Sequence, residues 1–179
     1  MSVQRAPHAA TISLRRPMTS AAPISSLPHV PAVGETAPDF TLASTGGGTV
    51  TLSALRGHNV LVAFFPLAFT STCTAELCAM TDDYDEFAKH DVTVLPISVD
   101  STASLKEFKT KHDMKVELLS DFRRDASRAY GVLNEERFYS NRAYFMIDRG
   151  GVVRWSHVEE TNGNRRENAE ILAEIAKLA

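Results

Sequence analysis

Residues Phe64 to Met80 read FFPLAFTSTCTAELCAM. The stretch opens as the end of an apolar strand, stops at Pro66, and passes into an amphipathic helical pattern. Both cysteines of the chain, Cys73 and Cys78, lie in it. At about 100° per residue, Cys73, Leu77, Met80, Tyr84 and Phe87 share one helix face. Cys73 is therefore expected in the first turn, facing the protein. Unpaired backbone N–H groups and the positive end of the helix dipole surround such a position and favour a thiolate. Cys78 falls about 140° further round, on the polar side with Asp85 and Lys89. Cysteine is normally among the most buried residues, so this placement favours a chemical role over a packing role.

Outward from this stretch the chain alternates strands and helices. Val60–Phe65 is continuously apolar, as expected of a central strand covered on both faces. Val92–Val99 reads as a second buried strand, with one helix from about Cys73 to Lys89 between the two. Asp100 or Ser101 can cap a helix running to His112, with Leu105 and Phe108 on its inner side. Leu118-Leu119 suggests a short strand. Arg124–Tyr130 suggests a short helix closed by Gly131. Two hairpins are expected. Phe40–Leu42 and Val50–Leu52 flank Ser44-Thr45-Gly46-Gly47-Gly48; Ala143–Ile147 and Val152–Trp155 flank Asp148-Arg149-Gly150-Gly151. The glycine run lacks the Gly-Lys-Ser/Thr ending of a phosphate loop and reads as a turn. A last helix is expected from about Arg165 to Leu178. The order predicts an α/β fold with a mixed central sheet and helices on both faces.

Residues 1–33 differ from the rest. They hold five of the eight prolines and no acidic residue, with Arg5, Arg15 and Arg16 their strong charges. No secretory h-region is present. The composition fits a disordered tail, a product starting instead at Met18, or a transit-like segment, so organelle targeting stays open. Residues 34–179 form the expected domain. The 179-residue chain is 44% hydrophobic and 23% charged, with a formal charge of −3, values that give no reason to expect nucleic acid or an anionic membrane as partner. No apolar run approaches the ~18 residues of a membrane span. Two cysteines are too few for a secreted disulfide framework, which points to a reducing, cytoplasmic setting. The six histidines are scattered without paired ligand spacing, so no metal site is expected.

Pro66-Leu67-Ala68-Phe69-Thr70-Ser71-Thr72-Cys73 has the form P-x-x-x-T-x-x-C. With it the chain resembles the peroxiredoxins. Pro38-Asp39-Phe40, Leu119-Ser120-Asp121, Ala129-Tyr130-Gly131-Val132 and Asn141-Arg142 extend the similarity over most of residues 34–179. FFPLAFT and NRAYFMIDRGG are most similar to the alkyl hydroperoxide reductase E type. The C-x4-C spacing is similar to the Q type, the bacterioferritin comigratory proteins.

The resemblance implies a thioredoxin-like fold with an added N-terminal β-hairpin, and thiol-dependent reduction of hydrogen peroxide and organic hydroperoxides. It implies Cys73 as the peroxidatic cysteine, Thr70 as a hydroxyl donor to thiolate and peroxide, and Pro66 as a wall against water. Arg142 would stabilise the thiolate and the breaking O–O bond, with Glu76 orienting it. By itself Glu76 reads equally well as a solvated first-turn glutamate favoured by the helix dipole. Cys78 would resolve the Cys73 sulfenic acid as an intramolecular disulfide. A thioredoxin or glutaredoxin-like dithiol protein would reduce that bond, with no cofactor, in a monomer or a homodimer. Three rivals remain: a thioredoxin-type oxidoreductase, which would want C-x-x-C; a one-cysteine peroxidase resolved by an external thiol; and a non-enzymatic redox sensor or relay.

Overall fold

The computed structural model describes residues 29–178; the expectations for residues 1–28 fall outside them. Among the described residues, nine strands and five α-helices follow one another. They are β1 (Thr41–Ser44), β2 (Thr49–Thr51), β3 (Asn59–Phe64), α1 (Ser71–Asp82), α2 (Tyr84–Lys89), β4 (Val92–Ser98), α3 (Thr102–Lys111), β5 (Leu119–Ser120), α4 (Asp125–Ala129), β6 (Leu133–Asn134), β7 (Tyr139–Ser140), β8 (Ala143–Ile147), β9 (Val153–Val158) and α5 (Asn168–Ile175). Seven of the strands form one sheet in the order β2-β1-β5-β4-β3-β8-β9. Strands β3, β4 and β5 run parallel, joined through α1–α2 and through α3. β8 and β9 are antiparallel additions on one side, and the β1–β2 hairpin is an antiparallel addition on the other. This is the expected mixed sheet of a thioredoxin-like fold, with the N-terminal hairpin on its β5 edge.

The central strands are apolar throughout because both faces are covered. Every residue of β3 and β8 is buried. Side chains of a strand alternate between faces, so each strand feeds two cores. Leu61, Ala63, Phe65, Tyr144 and Met146 meet Leu77 and Met80 of α1, Phe108 of α3 and Ile171 of α5. Val60, Val62, Phe64, Phe145 and Ile147 meet Phe40, Leu52 and Tyr130 on the other face. Each Val, Leu, Ile, Phe or Met side chain among them contributes about 1.5–3 kcal/mol by leaving water.

The helix expected from Cys73 to Lys89 is broken. Asp83 leaves helical geometry at φ −93° and ψ 13°, and its carboxylate accepts a 2.8 Å hydrogen bond from Asn168 Nδ2 at the start of α5. The break turns Tyr84 outward, 39% exposed, while Phe87 stays buried. Tyr84 therefore does not share the inward face of Cys73. The helix also starts earlier, at Ser71, with Thr70 as its N-cap. The last helix starts later than Arg165, at Asn168, behind a capping box between Glu167 and Glu170. Ser101 caps α3, its hydroxyl accepting from Ser104 N–H at 3.2 Å. The small β6–β7 hairpin is not legible in the sequence, since each strand is only two residues long.

Residues 29–33 lie against the domain. Pro31 is buried, and the His29 carbonyl packs so close to Gly131 (φ +64°) that a Cβ there would lie 2.7 Å from it. Gly131 is thus required both for its left-handed backbone and for this approach. Among the described residues, no helix is long and apolar enough to cross a membrane.

Candidate active site

Pro66 ends β3 and is buried. The four residues after it form a tight connection that sets the start of α1. Ala68 N–H donates to Asp100 Oδ2 at 2.8 Å, and Thr70 Oγ1 donates to the Leu67 carbonyl at 3.0 Å. Phe69 adopts φ +64°, a costly conformation for an aromatic residue. Its ring is held on Phe108 at 4.9 Å between centroids, with Lys111 Nζ 5.7 Å away. The loop delivers Cys73 to the third position of α1, on the inward face and only 1% exposed.

Arg142 reaches the same point from the opposite side. It precedes β8, whose Ala143 and Tyr144 pair with Phe64 and Ala63 of β3 next to the Pro66–Thr70 loop. Its guanidinium is fully buried; Nη2 donates to Cys73 Sγ at 3.2 Å and to the Asn162 carbonyl at 3.2 Å. Nη1 donates to Glu76 Oε2. Asn162 Oδ1 accepts from the Arg142 backbone N–H at 2.8 Å, and Glu159 N–H donates to the Arg142 carbonyl at 2.9 Å. The β9–α5 loop thus wraps the arginine from behind. Burial opposes the Arg142 charge, but Glu76 and the Cys73 sulfur outweigh it and hold its pKa above the ordinary arginine value.

Glu76 is 2% exposed, so it is not a solvated glutamate. Helix spacing puts Cys73 and Glu76 on one face of α1, one turn apart. Burial pushes the Glu76 carboxyl above its ordinary value, against the charge of Arg142 and a hydrogen bond from Tyr144. Tyr144 Oη donates to Glu76 Oε1 at 2.5 Å and accepts from Arg166 N–H at 3.1 Å. Burial, and then the neighbouring Glu76, raise the Tyr144 phenol well above the usual tyrosine range, so it stays a donor.

Of the six residues expected at the site, Cys73, Arg142 and Glu76 are in direct contact. Pro66 and Thr70 flank them. The Thr70 hydroxyl is turned to Leu67 and not to the sulfur. Cys78 is apart from them. It is half-buried against the core that α1 covers, not on a fully polar face with Asp85 and Lys89, because the break at Asp83 carries those two residues away on α2. Burial, and then Asp82, push the Cys78 thiol up. Both cysteines are free thiols. Tyr144 was not anticipated. Its signal was present: it stands two residues after Arg142, the spacing that puts two strand side chains on the same face.

Residues 33–156 match the AhpC/TSA family. The chain belongs to that family and is a peroxiredoxin-type thiol peroxidase. It is 43% identical over 131 residues to alkyl hydroperoxide reductase E of Mycobacterium tuberculosis, a match spanning 72% of this chain and 86% of that protein. It is 36% identical over 126 residues to peroxiredoxin Bcp of Escherichia coli, spanning 67% of this chain and 81% of that protein. A reduced 2-Cys peroxiredoxin of Plasmodium vivax superposes with a TM-score of 0.75 at 33% identity, covering 80% of each chain.

Proposed function

We propose that this chain reduces hydrogen peroxide and organic hydroperoxides through Cys73, resolves the product with Cys78, and is recycled by a thioredoxin-like dithiol protein in a cytoplasmic setting. The observation that carries the reading is the Arg142 guanidinium, 3.2 Å from the Cys73 sulfur at the N-terminal turn of α1. A fixed, always-charged donor at that point attracts a thiolate and, as the O–O bond lengthens, the oxygen that takes up its electrons.

The Cys73 thiolate attacks one peroxide oxygen in line with the O–O bond. The S–O bond forms as the O–O bond breaks, and the departing oxygen leaves as hydroxide or alkoxide and takes a proton. The product is a Cys73 sulfenic acid. Thr70 exchanges its Leu67 carbonyl for the incoming peroxide, and Pro66 shields the sulfur. The Cys78 thiol then displaces hydroxide from the sulfenic sulfur, releasing water and forming a disulfide. The raised Cys78 pKa supports this division of labour, since a thiol kept neutral is a poor competitor for peroxide. A dithiol reductant opens the bond by exchange.

Cys73 and Cys78 are both within α1. Five residues of intact helix separate their Cα atoms by about 8–9 Å with side chains diverging. A disulfide tolerates at most about 7 Å. Resolution therefore requires the first turns of α1 to unwind. Adding peroxide to the reduced protein tests the whole reading. Loss of both thiols, with sustained turnover on a thioredoxin system, is expected. Loss of one thiol would indicate external resolution; no rapid loss would indicate a sensor or relay.

A further inference from the structure

Two residues of α1 and two of the strand segment facing it meet in pairs. Cys73 and Glu76 share a helix face; Arg142 and Tyr144 share a strand face. Arg142 bonds to both helix residues, and Tyr144 bonds to Glu76. We propose that Tyr144 is a positioning residue of the peroxidase site, its phenol fixing Glu76 so that Arg142 is turned onto the Cys73 sulfur. This rests on the assignment of Cys73 above.

The geometry leaves the phenol one direction to donate. Its oxygen accepts from Arg166 N–H at 3.1 Å, so its proton goes to Glu76 Oε1. The ring is itself rigidly placed, because Tyr144 sits inside the sheet, paired with Ala63 of β3 and His157 of β9. Glu76 is the flexible member, a long side chain on a helix. With Oε1 held by Tyr144, only Oε2 is left for Arg142 Nη1, and that contact fixes the plane of the guanidinium. Nη2 then points at the sulfur. Without the phenol, Oε1 would be orphaned at a residue 2% exposed, and Glu76 would turn to share Arg142 between both its oxygens. The guanidinium would rotate with it, away from the sulfur. The chain of contacts also ties the segment ahead of α5 to the sulfur, through Arg166 N–H.

Tyr144→Phe removes the one hydroxyl. Stopped-flow oxidation of Cys73 by hydrogen peroxide is expected to slow by about 10- to 100-fold, the scale of a small misplacement of a catalytic group. The Cys73 thiolate titration, followed by its absorbance, is expected to move to higher pH. A hydroxyl with a merely structural role would lower the melting temperature and leave that titration in place. In a Glu76→Gln background, Tyr144→Phe is expected to add little, because the phenol acts through Glu76. If Tyr144→Phe fails to fold, a ring-fluorinated tyrosine at position 144 keeps the shape and alters donor strength, and it is expected to displace the pH profile of oxidation. Wild-type Cys73 reacting fast, with the Tyr144 variant within two-fold and its titration unshifted, would overturn the role of Tyr144 alone. A wild-type Cys73 inert to peroxide would overturn the role together with the assignment it rests on.

Discussion

Arg142 Nη2 lies 3.2 Å from Cys73 Sγ across 69 residues of sequence, with both side chains buried. Such a contact is costly unless each charge has partners. Arg142 has Glu76, Cys73 and the Asn162 carbonyl. Removing one member of a buried pair typically costs about 3–5 kcal/mol.

Lysine in place of Arg142 keeps the charge but loses the planar fork that touches Glu76 and Cys73 together. Arg142→Lys is expected to slow peroxide oxidation of Cys73 by about 10²-fold or more. Stopped-flow measurement at matched pH checks this. A rate within a few-fold of wild type would remove Arg142 from the chemistry.

Cys78→Ser separates the two thiols. Cys73 should still react once, at close to the wild-type rate, and accumulate a sulfenic acid that a dimedone probe captures and that excess peroxide drives to sulfinic acid. Cys73→Ser should not consume peroxide rapidly at all. Rapid consumption by Cys73→Ser would reverse the roles.

The β8–β9 turn gives a pH-dependent prediction away from the site. Asp148 Oδ1 accepts from Gly150 and Val152 N–H at 2.9 Å each, and Oδ2 accepts from Arg154 Nε at 2.6 Å. Burial alone would raise its pKa; the Val152 N–H, Arg154 and the Gly150 N–H outweigh it and hold the carboxyl below the ordinary aspartate value. A depressed folded-state pKa gives stability that is full above the unfolded value of about 3.9 and is lost as pH falls through the folded value. Asp148→Ala should cost about 1–3 kcal/mol near neutral pH. Melting curves of the two proteins should converge as pH drops below about 4. A constant gap across that range would contradict the assignment.

Much of this was legible in the residues. The strand ending at Pro66, the cysteine in the first turn and the Asp148–Gly151 turn follow from apolar runs and turn chemistry, which are local. What was missed depends on contacts across the chain. The break at Asp83 has no proline or glycine to announce it; it is where Asn168, 85 residues away, bonds the Asp83 carboxylate. Cys78 looked polar because the pattern was extended through that break. The Thr70 hydroxyl bonds the Leu67 carbonyl in a loop bent back on itself at Phe69, which has φ +64° and its ring tilted against Phe108. Glu76 could not be assigned from helix spacing alone, since the same position serves a solvated residue until Arg142 and Tyr144 face it. Tyr144 fell within the Ala143–Ile147 strand without standing out; its ring is buried in the core, and its hydroxyl meets Glu76 only because the fold brings α1 against β8.

In the proposed cycle one protein alternates between a helical state that places Cys73 beside Arg142 and an unwound state that lets Cys78 reach it. Thr72, Thr74 and Cys78 are weak helix formers, so opening these turns is a local event of a few kcal/mol. Amide hydrogen exchange across Ser71–Asp82, in the dithiol and the peroxide-oxidised protein, tests this most directly. The oxidised form is expected to exchange faster from Cys73 onward and to lose helical circular dichroism, with β3 and β8 unchanged. Superimposable exchange and helix content in the two states would contradict an intramolecular Cys73–Cys78 bond.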